Sequence, residues 1–217
     1  RTVSHLLFQS DPIFKQVSVL IMSFLFVLSG LIFVVRHKST YFSAGWASIK
    51  SWLFLAPLIL LILSLPAPWP LFFLTMTGIF SAKRFFQMVG IYHRSWFIWV
   101  TYLSIMSLGY LVFKNNFEFY NLMPMIFLGT ITLIPLIRNS PTHMIQYIAL
   151  ALLSFIFWGW CLLHFGLLLN LDRGVFIVLY LILLTEVSEN VSNSVGRIFG
   201  RIKPFDKISS RVTLEGI

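Results

Sequence analysis

The sequence predicts an all-α integral membrane protein with about seven transmembrane helices and a cytoplasmic C-terminal end. Three observations predict it. Of 217 residues, 58% are hydrophobic and 11% charged, whereas a soluble domain carries about 25% charged residues. Apolar runs long enough to cross a bilayer recur along the whole chain. Lysine and arginine fall between those runs mostly on one side. The net charge of +9 would suggest nucleic acid in a soluble chain. In a membrane chain it reports cytoplasmic loops and anionic headgroups, so no nucleic-acid partner is expected. The single cysteine, Cys161, excludes a disulfide framework.

The first run, Val17 to Val35, is closed by Arg36-His37-Lys38. The second, Ser51 to Leu65, is the shortest. The prolines of Pro66-Ala67-Pro68-Trp69-Pro70 stop the helices on either side of that turn. The third run goes from Leu71 through Phe80 to Val89, and forms either a separate span or one bent segment with the second. The fourth is Trp96 to Phe113, the fifth Phe119 to Ile137, the sixth Met144 to Leu169, and the seventh begins near Val175. These group as N-terminal helices over 1–94, middle helices over 95–170, and the start of a C-terminal catalytic-type region over 171–217.

Twelve cations fall on one side: Arg36, Lys38, Lys50, Lys83, Arg84, Arg94, Arg138, Arg197, Arg201, Lys203, Lys207 and Arg211. Four fall on the other: Arg1, Lys15, Lys114 and Arg173. The more basic side is the cytoplasmic one.

Acids are scarce, seven in all, and most lie from Asp172 onward. Glu186 and Glu189 sit inside the seventh run, where each ionised carboxylate costs about 2.5–3.5 kcal/mol at mid-bilayer. Glu186, Glu189, Asn190, Asn193 and Arg197 recur at steps of three or four, which makes one polar stripe on a helix. Val187, Val191, Val195 and Phe199 are expected on the opposite side. Two readings of the stripe stand. It is a hydrogen-bonded contact between helices, or a functional cavity whose carboxylates hold a hard cation such as Mg2+. Gly196 and Gly200 form either a helix contact face or a close backbone approach to a ligand, since the basic residues and Pro204 beyond them end the helix. Arg201, Lys203, Lys207 and Arg211, with Ser209, Ser210 and Thr213, are suited to phosphates. They equally suit a basic tail resting on anionic headgroups.

In register, E-N-V-S-N-S-V-G-R-I-F-G-R, then I-K-P-F-D-K, then I-S-S-R-V-T-L-E-G resembles the phosphatidate cytidylyltransferase (CDP-diacylglycerol synthase) family. Spacing is kept without a gap from Glu189 to Gly216. Gly196, Arg197, Gly200, Arg201, Lys207, Ile208, Ser209, Thr213, Glu215 and Gly216 keep the family residue or a close equivalent. Glu189 stands where the family has Asp, Ser192-Asn193 where it has Ala-Tyr, Ser210 where it has Pro, and Val212 where it often has Lys.

The resemblance implies an enzyme joining CTP and phosphatidic acid into CDP-diacylglycerol and pyrophosphate. It implies Glu189, Arg197 and Lys207 as catalytic residues. Asn193, Arg201, Lys203, Ser209, Arg211, Thr213 and Glu215 are implied in substrate binding. Glu189 and Glu186 are implied around Mg2+, with a monovalent cation as a second ion. It also implies a homodimer among membrane lipids, in a bacterial inner membrane with the active face cytoplasmic. The family carries a further signature after E-G, rich in Asp, Lys and Gly, expected beyond Ile217 in a longer chain. The alternatives are a non-catalytic relative that binds lipid or scaffolds a complex, and a small transporter or channel using the Glu186/Glu189 stripe.

Three other residues carry weaker expectations. His164 is a packing residue or a proton relay. Cys161 is expected to be a small buried hydrophobe. Trp46, Trp52, Trp69 and Trp96 suit membrane interfaces.

Overall fold

The computed structural model describes residues 11–35, 40–139, 143–200, 202–204 and 213–214, without the side chains of 35, 40–45, 47, 48, 194 and 197–199. The described residues form seven helices and no strand. These are α1 (Pro12–Val35), α2 (Thr40–Ser64), α3 (Trp69–Met88), α4 (Ser95–Phe113), α5 (Phe117–Arg138), α6 (Met144–Leu169) and α7 (Gly174–Phe199). Five of them, α1 and α4 to α7, are long and apolar enough to cross a membrane. The chain is therefore an all-helical integral membrane protein. Its large apolar side chains left uncovered, such as Phe26, Phe54 and Met125, are those that lipid covers.

Two compact units divide the chain: residues 62–174, and residues 11–61 with 175–217. In the first, α3 to α6 pack around Ile105, Leu108, Val112, Phe127, Ile131, Phe155 and Leu163, all buried. Phe127 and Phe155 stack with ring centroids 4.2 Å apart. Glycines set the close approaches of these helices, as in other membrane bundles. A Cβ on Gly78 would lie 2.5 Å from the Trp158 carbonyl oxygen, and one on Gly109 would lie 2.5 Å from Thr75 Oγ1.

The prolines between α2 and α3 behave as expected. α2 stops at Ser64 and α3 starts at Trp69, with Pro70 in its first turn. The two are separate helices, not one bent segment. Local chemistry also explains the ends of α5. The Asn116 side chain accepts from the Phe119 N–H at 3.3 Å, Glu118 lies in the first turn and Arg138 in the last, the signs that a helix dipole favours.

In the second unit, the Asp11 side chain caps α1 by accepting from the Ile13 N–H at 2.9 Å. α1 then starts at Pro12, five residues before the apolar run, because the cap and Pro12 at the first helical position suffice to begin a helix. Phe14 meets Phe176 edge-on at 6.2 Å, which fastens α1 to α7. Phe33 meets Trp46 in the same way at 5.3 Å, joining α1 to α2. Arg36, Lys38 and the turn after the first run lie outside the described residues.

α6 widens into a π-helical segment, Phe155–Cys161. Tyr120 O–H donates to the Trp160 carbonyl at 2.6 Å, and His164 Nδ1 lies 2.7 Å from the same oxygen. Tyr120 also lies 3.1 Å from His164 Nδ1. His164 is thus a hydrogen-bonded packing residue that anchors the widened turn to α5. Cys161 corrects the expectation of burial: it is exposed. Phe155, Gly159 and Leu163 turn one side of α6 into the core, and Cys161 falls on the other. Tyr120→Phe removes the bond to Trp160 at no cost in volume. It is expected to destabilise the protein by about 0.5–1.5 kcal/mol, seen as a lower Tm in detergent.

Candidate functional site

The second half of α7 carries the polar stripe. Asn190 Nδ2 donates to the Glu186 carbonyl at 2.9 Å and to Glu186 Oε1 at 2.7 Å. One carboxylate oxygen is thereby held by an amide one turn away, within the same helix. Glu186 and Asn190 are half-buried, while Glu189 and Asn193 are exposed. Glu186 and Glu189 are about one turn apart on α7.

A cavity of about 600 Å3 lies in this unit, bounded by α1, α2 and α7. Leu20, Phe24 and Leu28 line it from α1, and Ile49 and Trp52 from α2. Leu183, Glu186, Val187, Asn190, Val191 and Val195 line it from α7. The expected separation of polar and valine sides is therefore incomplete, since Glu186 and Asn190 share one wall with the valines. The two sets are separated by roughly 60–180° around the helix, so together they make one broad wall that runs half way round α7. The part played by α1 had no signal in the sequence, because apolar residues lie on every side of its run from Val17 to Val35.

α7 ends at Phe199, where the glycines and Pro204 predict the end. The Gly200 N–H donates to the Gly196 carbonyl at 3.1 Å. Thr213 then folds back onto this turn. A Cβ on Gly200 would lie 2.5 Å from Thr213 Cγ2 and 2.8 Å from its Oγ1. The Leu214 N–H donates to the Ile202 carbonyl at 2.9 Å. Thr213 is 5% exposed, and its hydroxyl has no hydrogen-bond partner among the described residues. Gly200, the last residue of G-R-x-x-G, and Thr213, the first of T-L-E-G, are thus in contact.

Lys203 is exposed beside this turn. Arg197 lies in the last turn of α7, with its side chain outside the description. Arg201, Lys207, Ser209, Arg211 and Glu215 lie outside the described residues. Among the described residues no three of His, Cys, Asp and Glu gather in one place. The donors near the stripe are the carboxylates of Glu186 and Glu189 and the amide of Asn193. All offer oxygen, which fits a hard cation that completes its shell with water and phosphate.

A family model described as the cytidylyltransferase family matches residues 46–217. An uncharacterized Escherichia coli (strain K12) protein, YnbB, is 24% identical over 179 residues, covering 78% of this chain. The chain spans 57% of that relative's length. No solved structure matches the chain.

Proposed function

Because the chain belongs to the cytidylyltransferase family, matched from residue 46 to residue 217, we propose that it takes part in transfer of a cytidylyl group from CTP to phosphatidic acid. The products are CDP-diacylglycerol and pyrophosphate, as in phospholipid synthesis. The supporting observation is the packing of Thr213 on Gly200, which brings together two residues of the motif that are not neighbours in sequence.

In this reaction an oxygen of the lipid phosphate attacks the α-phosphorus of CTP. A new P–O bond forms, the bond to the β-phosphate oxygen breaks, and pyrophosphate leaves with that electron pair. The phosphate dianion needs no proton removed. The protein's part is to bring two polyanions together and neutralise them. Arg197, Lys207, Arg201, Lys203 and Arg211 supply positive charge to triphosphate and lipid phosphate. Thr213 and Ser209 supply hydroxyl donors, Asn193 an amide, and Glu215 orients the basic loop. Glu189 and Glu186 would hold Mg2+, with a monovalent cation nearby, and the metal when bound would offset charge on the transferring phosphates. The Asn190 amide keeps Glu186 turned to the cavity wall.

The apolar cavity beside Glu186 supports a lipid acceptor, because its lining from α1 and α2 is hydrocarbon and its size is in the range of small-molecule sites, about 300–1,000 Å3. The cation distribution supports seven spans, a cytoplasmic C-terminal end and an active face on the cytoplasmic side of a bacterial inner membrane. A homodimer is the assembly expected of the family. The test supplies CTP and Mg2+ with phosphatidic acid or diacylglycerol in turn, and identifies the lipid product by mass spectrometry. CDP-diacylglycerol from phosphatidic acid alone supports the proposal. Product from diacylglycerol alone points to a different transfer, and no product with either acceptor favours a lipid-binding relative.

A further inference from the structure

A second cavity, of about 240 Å3, lies in the first unit, where the turn between α3 and α4 meets the start of α6 and the end of α5. We propose that it is a phosphate-binding site at the membrane interface, apart from the motif on α7. The phosphate is that of an anionic phospholipid headgroup or a free anion of the same chemistry.

Two arginines and a histidine line the cavity, and among the described residues no acidic one does. Each arginine is held by an aromatic ring. The Arg94 guanidinium carbon lies 5.0 Å from the Tyr147 ring centroid, and that of Arg138 lies 4.6 Å from the Trp96 centroid. His93 meets the Tyr147 ring edge-on at 6.3 Å. Stacking of this kind pre-orients guanidinium donors and leaves their edges for a ligand. The Arg94 Nε is buried and has no hydrogen-bond partner among the described residues. A buried charged donor left in that state calls for an acceptor.

The backbone adds to the same field. α4 begins at Ser95 and α6 at Met144, both lining residues, and neither helix has a side-chain cap at its N-terminus. Two positive helix ends therefore border the cavity. The end of α5 opposes them, but it carries Arg138 in its last turn. The cavity is below the usual range for drug-sized ligands, about 300–1,000 Å3, so it suits a compact group such as a phosphate better than a nucleotide. Trp96 is 57% exposed, as suits an interfacial anchor, and Arg94 and Arg138 belong to the cations on the cytoplasmic side. Anionic lipids there would present phosphates at this depth. None of the residues given a part in cytidylyl transfer lines this cavity, so the inference stands or falls separately.

The full chain in nanodiscs of phosphatidylcholine with a minor fraction of phosphatidylglycerol tests it by native mass spectrometry. The expected result is preferential retention of phosphatidylglycerol by the wild type. Arg94→Gln and Arg138→Gln should each weaken retention about tenfold, while Arg84→Gln, outside the cavity, leaves it unchanged. Unchanged retention in both cavity variants overturns the site, as does an equal loss in Arg84→Gln. A second measurement needs no variant. Phenylglyoxal modification of the wild type is mapped with and without inorganic phosphate, and with and without phosphatidylglycerol. Protection of Arg94 and Arg138 by the lipid assigns a headgroup, and protection by inorganic phosphate assigns the free anion. Protection by neither overturns the proposal.

Discussion

Glu189→Gln and Arg197→Ala are each expected to lower CDP-diacylglycerol formation by about 100-fold or more, with the folded protein retained. The first keeps shape and removes the charge that would meet the metal. The second removes a cation that would face the phosphates, where preorganised charge commonly supplies the largest part of the rate. The rates are compared at saturating CTP and phosphatidic acid, with helical content and elution volume as checks of folding. Glu189 lies exposed on α7, so its substitution disturbs no packing. Rates equal to wild type in both variants would remove Glu189 and Arg197 from the site. A loss restored by raising Mg2+ in Glu189→Gln alone would strengthen its assignment to the metal.

Gly200→Val acts through geometry rather than charge. Even a Cβ at this position would lie within 2.5 Å of Thr213 Cγ2 and would press on the Gly196 carbonyl. Thr213 is itself buried, so either it leaves or the turn after Phe199 opens. Overpacking of this kind costs about 1–3 kcal/mol, and here the cost falls on the contact between these two residues of the motif. The expected result is a fall in turnover similar to that of Arg197→Ala, with protease cleavage newly appearing near residue 200 and α3 to α6 unaffected. Thr213→Gly in the same chain should reduce the new cleavage by removing the opposing side chain, while turnover stays low because the hydroxyl donor is removed with it. Wild-type turnover in Gly200→Val would show that the contact has no part in function.

Much of the helix pattern was legible because hydropathy reports it directly. The sixth run, Met144 to Leu169, coincides with α6 at both ends, and the fourth and fifth runs lie within a residue or two of α4 and α5. Hydropathy fails where a helix is polar. α2 begins at Thr40 rather than Ser51, since Thr40 to Lys50 is helical without being greasy. Lys50, counted as a loop cation, is inside that helix, and Lys83 and Arg84 are inside α3. The start of α1 had a readable signal in Asp11-Pro12, a cap followed by a residue suited to the first helical position, which apolar counting passes over. The π segment in α6 had none, because a widened turn depends on tertiary partners such as Tyr120.

The site was legible to a different degree. A period of three to four placed Glu186 and Asn190 together, and the structure joins them by a hydrogen bond. Periodicity gave no warning that α1 and α2 would add a hydrocarbon wall beside them. Nor did spacing pair Gly200 with Thr213, since that contact depends on how the chain returns after Pro204. Arg94 and Arg138 were visible only as cations between apolar runs, Tyr147 carried no signal, and their convergence needed the packing of α4, α5 and α6.

The most direct measurement of cytidylyl transfer follows the two ends of the CTP triphosphate separately. CTP labelled at the α-phosphorus and CTP labelled at the γ-phosphorus are supplied in parallel with phosphatidic acid and Mg2+. The predicted result is α-label in the extracted lipid and γ-label in pyrophosphate. Label from the γ-position in the lipid, with none from the α-position, would contradict it and make the reaction a phosphoryl transfer.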